Sequence, residues 1–204
     1  MDKVLEIKRG HGVAVVRLAS GDILRAPSAL FLERPLREGD QVDPEAYRAF
    51  IAEKSDGSAL AAAMKYLALR EHSVREVRDR LRRAAYGEET IDRVVAALED
   101  HGLLSDARLA ESWTASRARR YGRNRLAQEL RKKGVPEAAA RQAIDDIPEE
   151  EEYRRAVDQA EKLARKFQGD RQKIAQALIR RGYPWPLARK AAEEAAGQSS
   201  SMDP

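Results

Sequence analysis

The chain has no cysteine among its 204 residues, only three histidines, and aromatic side chains at 5%. The missing cysteine excludes disulfides and thiolate metal sites. His11, His72 and His101 are scattered along the chain, and none has the spacing of a metal ligand. No apolar run approaches the ~18 residues needed to span a membrane. The opening "MDKVLEIKRG" is too charged for a signal peptide, so a cytoplasmic protein is expected. No Walker loop, dinucleotide fingerprint or nucleophile elbow is present. The acidic run "DDIPEEEE" at 145–152 invites a metal-site reading. Carboxylates that favour the positive end of the next helix account for it better. Nothing brings together an acid, a base and a nucleophile. The chain is expected to be no enzyme, to need no cofactor, and to neither hydrolyse ATP nor cleave DNA.

What is abundant is charge, at 35% of residues. Residues 1–52 carry eight basic and eight acidic side chains, so the net charge of +4 arises entirely beyond them. That first segment also differs in pattern. "HGVAVVRLASGDILRA" at 11–26 is two apolar runs around a Ser-Gly-Asp turn, the signature of a hairpin. Residues 1–52 are expected to form a small β-rich module leaning on a neighbour. "EKSDGSA" at 53–59 suggests a linker over 53–57.

From Ser58 onward the periodicity is helical throughout, and it repeats. "RLAQELRKKGV" at 125–135 returns as "KIAQALIRRGY" at 173–183. Leu81, Leu130 and Leu178 are spaced by 49 and 48 residues, each with an apolar residue one turn earlier: Val77, Leu126, Ile174. Tyr86, Val135 and Tyr183 follow each by five residues. In the first copy Ala85 stands where the others have Gly134 and Gly182. Second helices are predicted to start near Ser73, Arg123 and Asp170, the first through the capping box "SVRE". Third helices follow Gly87, Gly134 and Gly182, and His101 is expected to cap the first of them. The fold class is therefore mainly α: three tandem three-helix repeats, elongated and curved, behind a small β-hairpin-containing module. Their expected limits are 58–104, 105–148 and 149–196, with a disordered tail over 197–204. The Ala-rich third helices of the later repeats promise thin cores and lower stability.

Basic residues gather on the second helices and the turns before them. Between Gly102 and Val135 there are nine against three acids, and over 162–181 seven against one. The candidates for binding phosphate or acidic protein surface are Arg117, Arg119, Arg120, Arg123, Arg125, Arg131, Lys132, Lys133, Lys173, Arg180 and Arg181. Tyr121, inside "RRYGRNR", could stack on a base, though packing at a helix junction is the better reading.

The stretch "GLLSDARLAESWTASRARRYGRNRLAQELRKKGV" (102–135) resembles the signature of the RecX family, regulators of the RecA recombinase. "ALAAAMKYLALREHSVREVRDRL" (59–81) resembles the preceding family segment; within 102–135, Leu109 stands where the family usually has Phe. The resemblance implies tandem three-helix modules in the groove of a RecA filament on single-stranded DNA, restraining its ATPase and strand exchange. Roles in DNA recombination, DNA repair and the SOS response follow from it, for a protein acting as a monomer without membrane attachment. Direct affinity for single-stranded DNA would be weak or conferred by the filament. Two alternatives remain open from the residues: a DNA-binding protein reading the major groove through helix-turn-helix-like units, and an RNA- or ribosome-associated adaptor.

Overall fold

The computed structural model describes residues 1–200, with side-chain surroundings for 1–197. It divides into two compact units, Met1–Ser105 and Asp106–Pro204.

The first unit opens with β1 (Asp2–Gly10), β2 (Val13–Leu18) and β3 (Ile23–Pro27), followed by α1 (Ser28–Glu33) and β4 (Gln41–Val42). These strands form one antiparallel sheet in the order β3-β2-β1-β4. The predicted β2–β3 hairpin is present, and Gly21 takes a φ of 93° in its turn. β1, too charged to stand out as a strand, joins β2 through His11 and Gly12 at φ 53° and 87°. Positive φ at both central residues gives a turn whose twist suits adjacent strands. Alternation then buries Val4, Ala14, Val16, Leu18, Leu24 and Ala26 beside Phe31 and Tyr47.

No linker separates this module from the first repeat. Helix α2 (Pro44–Leu67) runs unbroken through 53–57, so neither a linker there nor a helix beginning near residue 58 is observed. Asp43 caps it by accepting from the Glu45 and Ala46 N–H groups, with Pro44 in the first turn. The physical reason for the continuity is a row at i+4 spacing: Tyr47, Ile51, Ser55, Ala59, Ala63. Ser55 fits that buried row because its hydroxyl donates to the Ile51 carbonyl at 2.7 Å. The first half of α2 packs under the sheet and the second half is the first helix of repeat 1. The tertiary packing of both halves outweighs the ~1 kcal/mol that Gly57 costs inside a helix.

Repeat 1 is completed by α3 (Val74–Arg83) and α4 (Glu88–Asp100). Ser73 and Glu76 form the predicted capping box, at 3.1 and 3.0 Å. His101 is the C-cap of α4, its Nδ1 lying 2.7 Å from the Ala97 carbonyl oxygen.

The second unit holds repeat 2, α5 (Asp106–Arg117), α6 (Arg123–Lys133) and α7 (Glu137–Asp145), and repeat 3, α8 (Glu149–Phe167), α9 (Arg171–Arg180) and α10 (Trp185–Ser200). The acidic run lies at the start of α8, with Glu149–Glu152 in its first turn. The repeating positions occupy equivalent places in three cores. Leu81, Leu130 and Leu178 are fully buried, as are Val77, Leu126 and Ile174. Gly134 and Gly182 end their helices at φ 81° and 90°, and Ala85 adopts 66° at the same position. Residues 197–200, predicted as disordered tail, are helical; the rest of that expected tail, 201–204, lies outside the described residues.

Candidate partner and nucleic-acid interface

The basic side chains divide by what already holds them. In repeat 2, Glu129 is the organiser. It accepts from the Trp113 indole N–H at 3.1 Å, and pairs with Arg117 at 3.5 Å and Arg125 at 3.2 Å. The Arg117 guanidinium lies 4.1 Å from the Trp113 ring centroid and the Lys133 ammonium 4.2 Å. Cations facing an indole are attracted by its negative π-face. This face is a prebuilt platform of positive charge around one carboxylate.

Arg123 has a different job. Its backbone N–H and its Nε both donate to the Glu152 carboxylate, at 2.9 and 2.6 Å, and the Glu152 side chain is only 4% exposed. A buried carboxylate left without its cation is strongly destabilising, so this pair locks α6 to α8. Arg123, one of the expected partner-binding side chains, has its guanidinium turned toward repeat 3. Arg181 is likewise drawn inward, donating to the Gln159 side chain, whose own amide donates to the Arg119 carbonyl at 3.2 Å.

The junction between repeats 2 and 3 is also made by backbone. The Gly122 N–H donates to the Arg181 carbonyl at 3.0 Å and the Asn124 N–H to the Gly182 carbonyl at 3.1 Å. A Cβ on Gly122 would fall 2.5 Å from the Tyr183 nitrogen, and one on Gly182 2.3 Å from the Arg125 Cβ. The two glycines let chain segments touch where any side chain would separate them. Tyr121 is half-buried against the repeat 2 core, with Arg125 5.0 Å from its ring centroid, as expected for a junction tyrosine.

Lys173 pairs with Asp170 at 2.9 Å beside the cap of α9. Among the described residues Arg119, Arg120, Arg131, Lys132 and Arg180 are exposed and in no ion pair. Lys132 and Arg180 stand at the same position of successive repeats, 48 residues apart. Such charges face solvent at little cost and are free to meet a negative surface.

A feature missed in the sequence is Trp185, 59% exposed at the start of α10. Its signal was "YPWP" at 183–186, where two prolines hold a tryptophan at a helix start. Among the described residues, no group of three or more His, Asp and Glu side chains is placed to hold a metal ion, and no helix is long and apolar enough to cross a membrane.

Comparisons with known proteins bear on the whole of this arrangement. Three family models match consecutive parts of the chain: RecX, first three-helix domain, over 59–98; second, over 105–144; third, over 149–192. A regulatory protein RecX from Prosthecochloris aestuarii is 33% identical over 142 residues, covering 67% of this chain and 92% of that one. One from Amycolatopsis mediterranei is 37% identical, covering 60% and 74%. The crystal structure of RecX from Lactobacillus salivarius superposes with a TM-score of 0.67 at 25% identity, over 70% of this chain and 97% of that one.

Proposed function

Because this chain belongs to the RecX family of regulatory proteins, we propose that it binds RecA filaments on single-stranded DNA and restrains their ATPase and strand exchange. The observation that carries this reading is the repetition of an unpaired cation, Lys132 then Arg180, at one position of successive repeats. A ligand that offers the same acidic surface or phosphates at regular intervals matches a protein built that way. Linked weak contacts add through effective concentration, so no single pocket is required. The reading includes no catalysis: the protein acts by occupying the filament. It places the protein in the cytoplasm, where the filaments form.

The alternative, base reading by α6 in the major groove, needs polar side chains in the first turn of that helix. Arg123, the first of them, is bound to Glu152, which counts against it.

The test is a salt titration of binding to naked single-stranded DNA and to preformed filaments, alongside the recombinase's DNA-dependent ATPase. The variants are Arg131→Glu with Lys132→Glu, and Arg180→Glu. Arg181 is left intact because it holds the repeat junction. Both variants are expected to fold normally, to bind filaments more weakly and to lose ATPase inhibition together with binding. Each phosphate contact removed should flatten the dependence of log affinity on log salt by roughly 0.7. Wild-type preference for naked DNA over filament would sink the regulator reading.

A further inference from the structure

Repeats 2 and 3 each carry a groove between their second and third helices, and the two are lined by equivalent residues 48 positions apart. They have diverged in chemistry. In repeat 2 the wall holds Arg131 and Glu137, and Glu137 is paired with Arg141. In repeat 3 the same places hold Ile179 and Trp185. Here Arg189, the counterpart of Arg141, pairs with Glu193 at 2.8 Å and flanks the Trp185 ring at 5.6 Å. The groove of about 480 Å³ is open to solvent along Trp185, 59% exposed, and Ile179, 40% exposed. Among the described residues Trp185 is the one aromatic side chain among the exposed large hydrophobics.

Leaving an indole in water forgoes the burial of a large apolar surface. The surroundings specify what would cover it. Arg171 lines the same groove, is exposed, and makes no ion pair among the described residues. Gln172 adds an exposed amide with both a donor and an acceptor. A ligand matching a flat π-face, a nearby free cation and a polar edge is itself flat, anionic and polar at its rim. An unpaired nucleotide has all three properties, whereas the base faces of a duplex are hidden in its stack.

We infer that the α9/α10 groove is a stacking site for a base of single-stranded nucleic acid, with Trp185 as platform and Arg171 as the phosphate contact. This deepens the filament reading, and rests on it for the presence of single-stranded DNA. It gives repeat 3 a nucleic-acid contact of its own, separate from the Lys132 and Arg180 positions.

The experiment uses the full chain with labelled oligothymidylate of about 16 nucleotides, the upper range of such sites, and an abasic strand of equal length. Subtracting the fluorescence of Trp185→Phe from that of wild type isolates Trp185 from Trp113. Oligothymidylate is expected to quench the Trp185 signal, and the abasic strand, with the same charge and no bases, is not. In anisotropy titrations Trp185→Ala should weaken oligothymidylate about tenfold and leave the abasic strand unaffected, while Arg171→Glu weakens both. Equal quenching by the abasic strand, or unchanged oligothymidylate affinity in Trp185→Ala, would overturn the proposal. So would a Trp185→Ala protein that keeps oligothymidylate affinity but loses preformed filaments, since Trp185 would then meet protein. If wild type shows base-dependent quenching yet no inhibition of the recombinase ATPase, the stacking site stands and the filament reading alone fails.

Discussion

At Gly122 two backbones come so close that the residue is chosen for space rather than for conformation. Its added Cβ would overlap the backbone of Gly182 and Tyr183 at 2.5–2.6 Å, and neither contact is with a flexible side chain. Gly122→Ala should therefore destabilise the second unit by about 2–3 kcal/mol through forced separation, read as a lower urea midpoint. Tyr183, the next residue of that contact, is 1% exposed and its hydroxyl has no hydrogen-bond partner among the described residues. Burial is the main reason its phenol is pushed up to about 12 from an ordinary 10.0. The folded state favours the neutral form, so this contribution is complete below pH 10 and is lost as pH rises through about 12. Wild type should thus weaken relative to Tyr183→Phe over that window, by on the order of 2 kcal/mol. Near neutrality the two should differ little, because no hydrogen bond is removed. Urea unfolding of both proteins across the alkaline range measures the difference.

Among the elements, the second helices end in three versions of one turn. Two use Gly134 and Gly182 in the left-handed region, and the third puts Ala85 there at φ 66°. An L-residue pays roughly 1–2 kcal/mol in that region, partly offset because glycine loses more freedom on folding. Ala85→Gly should stabilise the first unit by up to about 1 kcal/mol, a rise in its melting temperature that leaves the second unit unmoved. The sequence comparison located this position correctly, since a missing glycine in a repeat is visible as a mismatch. The continuity of α2 was also legible, in the i+4 row from Tyr47 to Ala63, but the Ser, Asp and Gly in "EKSDGSA" obscured it. Local composition favours a loop there, and only packing on two cores at once overrides it. β1 was illegible for the opposite reason. Its charged residues Asp2, Lys3, Glu6, Lys8 and Arg9 break the apolar–polar alternation, and pairing with β2 and β4 rather than propensity makes it a strand.

For the whole molecule, the two units differ in what fills them. The first combines Val, Leu, Ile, Phe and Tyr in its two clusters. In the second, the repeat 3 cluster is built largely on alanines 156, 160, 164, 177, 188, 191, 192 and 195. Alanine allows close helix contact but removes little apolar area from water, at about 25 cal/mol per Å². Calorimetry should resolve two transitions, with the second unit melting first. Gly122→Ala should lower only the earlier transition, and Ala85→Gly should raise only the later one. A single cooperative transition shifted equally by both variants would refute this expectation.

The sequence by itself determined the family, the helical repeat and its register, because these depend on the periodicity of apolar residues and on capping chemistry carried by near neighbours. It also determined where positive charge accumulates. Only the tertiary structure decided which of those charges are available. Arg123 and Arg181 lie among basic residues in sequence, yet Glu152 on α8 makes the first a clamp between repeats 2 and 3, and Gln159 on the same helix draws the second inward within repeat 3. Trp185 carries the converse lesson. Its type suggests a core residue, and the packing of the described residues leaves it 59% exposed in the α9/α10 groove. Availability is a property of what surrounds a side chain, and those surroundings are assembled by long-range packing.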